Sequence, residues 1–291
     1  MRFWSDKSTA FSETISLHCG NKVLTADKPL VMGILNLTPD SFYDGGKYSG
    51  TDAWLAQTEK MVTEGASIID LGAVSTRFGA AAVSEDEELQ RLLPVLGLLT
   101  QKFKDVVFSV DTFRAKVAQL AAQNGAGIIN DISAGKSDPG LIESVAQTGL
   151  PYILMHMQGT PQTMQHNPTY HSVVNEVDAF FNESLQNLSA KGIGQIIIDP
   201  GFGFGKSIEH NYALLKNLHQ FKKHKKLILA GVSRKSMLYK PLGITPAEAL
   251  NATTAINMIA ILNGADILRV HDVKEAFEAI KLAKLYTMAL E

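Results

Sequence analysis

The chain predicts a closed parallel α/β barrel of the (β/α)8 type with an N-terminal β-hairpin, and three observations carry that expectation. Eight short apolar runs recur along it, at 31–37, 67–72, 106–110, 127–132, 152–157, 195–199, 227–232 and 266–270. Alternating with them are eight patterns of helical period, at 52–64, 84–100, 112–124, 139–147, 170–191, 208–221, 246–262 and 273–288. The length of 291 residues is long for an ordinary domain and usual for one such barrel.

Each element has a local cause. A run of four to six branched aliphatics reads as a strand buried on both faces, as parallel sheets require. The first two short runs, ISLHC and KVLT, flank Gly20 and Asn21 and predict a hairpin over about 14–25. The barrel then occupies about 30–289, within a single domain spanning 1–291. Ser84 with Glu87 reads as a capping box, and Gly65, Gly149, Gly192 and Gly264 stand just past helix ends. The runs at 127–132 and 195–199 are short, so an open doubly wound sheet stays as the architectural alternative. It would leave two edge strands needing cover.

Composition limits the function classes. Hydrophobic residues at 45% and charged residues at 19% are globular values, and a net charge of −2 gives no basic field for nucleic acid or an anionic membrane. Anionic small molecules need only a local cluster. The lone Cys19 excludes an internal disulfide and reads as a small hydrophobe near a turn, in a reducing compartment. No stretch approaches the ~20 apolar residues that span a bilayer, and the start has no apolar core of secretory length. A cytoplasmic location is expected.

The apolar runs end abruptly in polar groups, as at Asp131, Asp199, Lys235 and His271. In a barrel the loops after the strands build the site, so the strand ends form its inventory: Asn36, Asp70, Asp111, Asn130, Met155, Asp199, Lys235, Arg269 and His271. Asp111, Asn130, Asp199 and Lys235 suit an amino-pyrimidinone heterocycle, because a carboxylate accepts paired N–H bonds while amide and ammonium serve carbonyl and ring nitrogen. The bland alternative is that Asp111 and Asp199 cap helices or pair within the barrel. Asn36, Arg77, Arg269 and His271 form a second group suited to an anion, with Arg269 and His271 two apart and so on one side of a strand. Ser233 and Lys235 share that spacing, leaving Arg234 as a loop anchor or a partner behind the site, and a Schiff base on Lys235 remains a competing chemistry.

Two tempting motifs fail. In DPGFGFGKS, Pro200 occupies the P-loop's first glycine and Lys206 the third glycine of a dinucleotide fingerprint. The glycines instead suit a sharp loop over a ligand, with Phe202 or Phe204 as an aromatic wall. His156, His166 and His171 lack zinc-site spacing, and the run Glu85, Asp86, Glu87, Glu88 suits a helix start.

The segment VMGILNLTPDSFYDGG at 31–46 closely resembles the first signature of the dihydropteroate synthase family. The resemblance continues through SVDTFRAKVA, IINDISAG, YILMHMQGTPQTMQ, IIIDPGFGFGK, AGVSRKSML and ILRVHDV, in the family's order and spacing. It implies a pterin-binding TIM barrel, a homodimer, that joins para-aminobenzoate to 6-hydroxymethyl-7,8-dihydropterin pyrophosphate with Mg²⁺, and that sulfonamides inhibit. Carried over by residue, it places the pterin on Asp111, Asn130, Met155, Asp199, Gly231 and Lys235. The pyrophosphate falls to Asn36, Thr76, Arg77, Arg269 and His271, with Asn36 also the metal ligand, and the aminobenzoate to Phe42, Phe78, Phe204, Lys235 and Ser236. Asp111, Lys235, Arg269 and His271 carry the catalytic roles in a dissociative mechanism, with loops at 37–48 and 73–82 closing once pyrophosphate is present.

The second loop departs from the family's D-[I/V]-G-G-E-S-T-R-P-G-A, reading DLGAVSTRFGA, with Ala73, Val74 and Phe78 in place of Gly, Glu and Pro. Altered affinity for aminobenzoate and sulfonamides is therefore expected. Reverting Phe78→Pro should change sulfonamide inhibition; unchanged inhibition would make the substitution silent. Two other readings stay open, a pterin-binding barrel that presents a methylated folate to a corrinoid protein and a non-catalytic pterin-binding paralogue.

Overall fold

Apolar runs of this length pair as parallel neighbours only when the chain between them returns over the outside, which the helical patterns supply. The computed structural model describes residues 15–26, 29–37, 50–74, 83–160, 162–164 and 167–289. Strands β1 (Ile15–Cys19) and β2 (Lys22–Ala26) form the antiparallel hairpin. The barrel strands are β3 (Leu30–Asn36), β4 (Ile68–Gly72), β5 (Val107–Asp111), β6 (Ile128–Asp131), β7 (Tyr152–Met155), β8 (Ile196–Asp199), β9 (Leu227–Ala230) and β10 (Ile267–Val270). All pair in parallel, and β10 bonds both β9 and β3, which closes the ring. A closed ring has no edge strand, and the open-sheet alternative falls.

The helices are α1 (Gly50–Thr63), α2 (Glu85–Lys102), α3 (Ala115–Gln123), α4 (Leu141–Thr148), α5 (Val173–Ala190), α6 (Ile208–Lys216), α7 (Ser236–Leu242), α8 (Leu250–Leu262) and α9 (Val273–Met288). Gly65, Gly149, Gly192 and Gly264 all take positive φ, as helix ends of this kind require.

Three expectations need correction. The pattern at 208–221 breaks after Lys216, because Asn217 turns its amide back to the Ala213 carbonyl at 2.8 Å, and a 3-10 turn, Leu218–His224, follows. The pattern at 246–262 opens with a separate 3-10 turn, Pro246–Glu248, started by a Thr245–Glu248 capping box, and α7 precedes it unannounced. The Ser84 box is half formed: its hydroxyl accepts from the Glu87 amide at 3.2 Å, but the Glu87 carboxylate pairs with Arg91.

Two apolar layers follow from the strand period of two. Ile69, Leu71, Phe108, Val110, Ile129, Leu154, Ile198 and Leu268 face outwards into the helical layer. Their alternates Met32, Ile68, Val107, Ile128, Ile153, Ile197, Leu229 and Ile267 fill the barrel, where Leu17, Cys19 and Leu24 of the hairpin join them. Each fully buried aliphatic contributes about 1.5–3 kcal/mol. The hairpin lies across the strand starts: Lys22 donates to the Val106 carbonyl, and Gln195 brackets the His18 backbone. One end of the barrel is thus sealed, and Cys19, its thiol pushed up by burial to about 12, is inert. No helix among the described residues is long and apolar enough to cross a membrane.

Candidate active site

The alternation that buries Val107 inside and Phe108 outside also sends Ser109 and Asp111 inwards. The same count turns Asp70, Asn130, Asp199 and Arg269 to the inside. Register then sets neighbours: Asp70 lies beside Ser109, and Gly72, Asp111 and Asn130 form a row. Asp131, which ends β6, points outwards, where it accepts from the Tyr152 hydroxyl at 2.7 Å and from the Ser133 and Gly135 amides. It is part of the wall and not of the pocket.

The inner row is tied together by Arg269. Its Nε donates to Asp70 Oδ2 at 2.7 Å and its Nη2 to Asp111 Oδ2 at 3.0 Å. Asn130 Nδ2 donates to the same Asp70 oxygen at 3.1 Å. Burial pushes the Asp111 carboxyl up to about 7, with Arg269 opposing and Asp70 adding to the rise. Asp70 belonged to the strand-end inventory but received no role there. The signal was visible in IIDLG, where a carboxylate interrupts a fully buried strand.

On the opposite arc, Asp199 accepts from the Gly201 amide at 2.7 Å, so it begins a tight loop and caps no helix. Burial raises its pKa, and the Lys235 ammonium opposes that. Gly201, Gly203 and Gly205 all hold positive φ, and a Cβ on Gly201 would stand 1.9 Å from the His156 carbonyl oxygen. The loop therefore runs against the 156–158 backbone as only glycine permits. Phe202 is fully buried in the helical layer, leaving Phe204 as the aromatic wall. Lys235 Nζ lies 4.6 Å from the Phe204 ring centroid and donates to the Phe202 carbonyl. Burial lowers Lys235 to about 8, with Asp199 resisting. Below that value it is an ammonium held by a carbonyl and a ring, which suits a donor better than a Schiff-base nucleophile.

Lys206 was missed as a functional residue. It is 4% exposed, and its Nζ donates to the carbonyls of Gly201 at 2.9 Å, Phe204 at 2.9 Å and His156 at 3.2 Å. His156 Nδ1 is 3.0 Å away; burial first, then Lys206, lowers that imidazole to about 3, so the ring is neutral.

At the β9 and β10 ends, the Ser233 hydroxyl oxygen accepts the His271 amide at 3.2 Å and lies 3.0 Å from His271 Nδ1. Arg234, held at φ +53, is a loop anchor, forking onto Asp272 at 2.8 and 2.9 Å and donating to the Pro246 and Ala247 carbonyls.

The other expected residues that the structure describes lie at the same strand ends. A Cβ on Gly231 would sit 3.8 Å from Lys235 Nζ and 3.9 Å from Arg269 Cβ, so the glycine keeps open the space between them. Met155 pairs in register with Asp199, Asn36 pairs with Gly72, and Ser236 opens α7 directly after Lys235. Phe42, Thr76, Arg77, Phe78 and His166 lie outside the described residues.

The model of the family described as pterin binding enzyme matches residues 32–271, spanning every strand of the barrel but for the first two residues of β3. The chain belongs to the pterin-binding enzyme family. It is similar to the dihydropteroate synthase of Escherichia coli (strain K12), 46% identical over 270 residues, covering 92% of this chain and 95% of that one. Among solved structures it resembles Yersinia pestis dihydropteroate synthase with a sulfonamide drug complex, at a TM-score of 0.89 and 44% identity over 94% of this chain and 100% of that one. It also resembles the Xanthomonas albilineans enzyme in complex with 7,8-dihydropteroate, at a TM-score of 0.85 and 36% identity over 95% and 100% of the two chains. Within this pterin-binding frame, Ala73 is buried and is not among the residues of positive φ, so its replacement of glycine introduces no backbone strain. Arg91 donates to the Ala73 carbonyl at 3.2 Å and Arg114 to the Val83 carbonyl at 2.5 Å, fixing the described flanks of the departing segment.

Proposed function

We propose that this chain is a dihydropteroate synthase, condensing 6-hydroxymethyl-7,8-dihydropterin pyrophosphate with para-aminobenzoate to give 7,8-dihydropteroate and pyrophosphate. The observation that carries the reading is the inner ring in which Arg269 bridges Asp70 and Asp111 beside Asn130, facing Asp199 and Lys235. Carboxylates, an amide acceptor and an ammonium are the complement of a pterin's N–H, amine and carbonyl edge.

In the reaction the methylene C–O bond breaks and its electron pair leaves with pyrophosphate. The arylamine nitrogen then bonds the methylene carbon and releases its proton. Arg269 and His271, at one strand end, take up charge on the leaving group, while the Asp111 carboxylate stabilises the pterin cation. Aminobenzoate lies over Phe204 and the Lys235 stem with its carboxylate towards Ser236, and Phe42 and Phe78 are proposed as its outer contacts.

Mg²⁺ fits as an ion that arrives with the diphosphate. Among the described residues no group of three or more His, Cys, Asp or Glu side chains gathers to hold a metal. Asn36 offers a single carboxamide oxygen at the rim, above Gly72, which suits a cation that keeps most of its ligands as water and phosphate. Bound there by Asn36, it would neutralise charge on pyrophosphate.

Turnover of the pterin pyrophosphate with aminobenzoate and Mg²⁺ tests this function, and chelation should abolish it. Absence of product from folded protein would favour the binding-only paralogue, and corrinoid-dependent methyl transfer the methyltransferase. We also propose a homodimer through α8 and α9. Leu282, Leu285, Tyr286 and Met288 on α9 are 60%, 68%, 56% and 66% exposed, with Ile259 of α8 at 42%. Five large apolar side chains exposed on two neighbouring helices are rarely all left to solvent. Leu285→Asp should shift the sedimenting species from dimer to monomer; a wild-type monomer at micromolar concentration would refute the assembly.

A further inference from the structure

We propose that Asp70 is the positioning residue of the pterin pocket, one carboxylate that sets both the aim of Arg269 and the orientation of the Asn130 amide. The inference rests on the dihydropteroate synthase reading and goes beyond it. Asp70 Oδ2 accepts from Arg269 Nε at 2.7 Å and from Asn130 Nδ2 at 3.1 Å, two groups that reach it from different strands. With Nε fixed on Asp70 and Nη2 on Asp111, the guanidinium plane is locked. Asn130 cannot reverse, because its carbonyl oxygen would then face a carboxylate. Its Nδ2 is therefore turned to Asp70 and its Oδ1 is left as an acceptor for a ligand N–H.

The position resists a merely architectural explanation. Asp70 is 0% exposed in a strand of otherwise apolar residues and glycine, and its Oδ1 has no hydrogen-bond partner among the described residues. A buried carboxylate with one bare oxygen is poor structural material, since an apolar residue of similar volume would usually serve stability as well or better. What an apolar residue cannot do is hold a donor fork and an amide in fixed orientation.

The test is Asp70→Asn, an isosteric change that leaves Arg269 its Asp111 partner. Provided the wild-type protein turns over, kcat/KM for the pterin pyrophosphate should fall about 100-fold, the scale expected for misplacing a binding group by an ångström. The affinity for 6-hydroxymethylpterin, which lacks the diphosphate, should fall together with that for inorganic pyrophosphate, each by about 10-fold on calorimetric titration. In an Asn130→Ala background the Asp70→Asn loss in pterin affinity should vanish, whereas a general structural effect would add. Additive losses, or unchanged affinity for both probes, overturn the proposal. If Asp70→Asn does not fold, the wild-type protein still decides: the Asn130 side-chain amide and Arg269 Nε–H should be protected from solvent exchange in the ligand-free protein, and free exchange at both would refute the role. An inactive wild-type protein would instead count against the dihydropteroate synthase reading itself.

Discussion

Asp111→Asn is expected to lower kcat/KM by about 10³-fold while making the protein more resistant to heat at pH 8. The two effects have one source. Burial pushes the Asp111 carboxyl up to about 7, Arg269 pulls it down, and Asp70, Asp131 and Glu88 push it further up. An unfolded aspartate ionises near 3.8. Between those two values the folded chain holds a proton that the unfolded chain has lost, so stability declines as pH rises through that window. The contribution is fully present below the unfolded value and gone once the folded group has ionised, above about 7. Asparagine keeps the shape and carries no charge, so it escapes this loss, and Arg269 retains its bond to Asp70. The difference in thermal midpoint, variant minus wild type, should grow from pH 5 to pH 8 by about 2 °C or more. A difference that stays flat across that range would show that Asp111 ionises without penalty. An activity loss confined to KM would deny it a part in the chemical step.

That prediction draws on a feature the sequence displayed only in part. The order of strands and helices was readable because buried parallel strands and amphipathic helices have different periods, and each of the eight apolar runs overlaps its strand, though β3 starts one residue before its run and β5 ends one residue after. Which strand-end residues face the pocket follows from the same period of two, and this separates Asn130 from its outward neighbour Asp131. What stayed hidden is pairing over distance. Arg269 and Asp70 are 199 residues apart, and nothing local in either strand announces that one will grip the other. The anion site was therefore legible as a cluster of donors but not as a donor held between two carboxylates. The short helix α7 escaped for another reason: seven residues ending in Pro241 and Leu242 make too few turns to display a period. The box at Ser84 failed because Glu87 found Arg91, a partner one turn further along the same helix.

Lys206→Met should lower stability by about 2–4 kcal/mol and raise the KM for aminobenzoate about 10-fold, with a smaller loss of pterin affinity through Lys235. The lysine holds together the loop that carries Phe202 and Phe204. Its ammonium supplies the carbonyls of His156, Gly201 and Phe204, and methionine would fill the volume while removing that donor from all three, leaving the Gly201 oxygen only the Phe204 amide at 3.1 Å. Asp199, Asn211 and Tyr170 also tie the loop, at Gly201, Gly203 and Gly205, but none of them reaches the Phe204 carbonyl. Loosening it moves the Phe204 ring and the Phe202 carbonyl, the two groups that receive Lys235. The pH dependence separates this role from simple packing. Burial lowers Lys206 to about 7, with Asp199 opposing and Lys235 adding, against 10.5 in the unfolded chain. Between those values the unfolded chain binds a proton that the folded one does not, so the wild-type fold gains stability as pH rises through the window. Methionine has no proton to lose, and the stability gap between wild type and variant should widen from pH 7 to pH 9. A constant gap would mean that Lys206 stays charged in its cage, and unchanged hydrogen exchange over residues 200–206 would mean that the cage does not hold the loop.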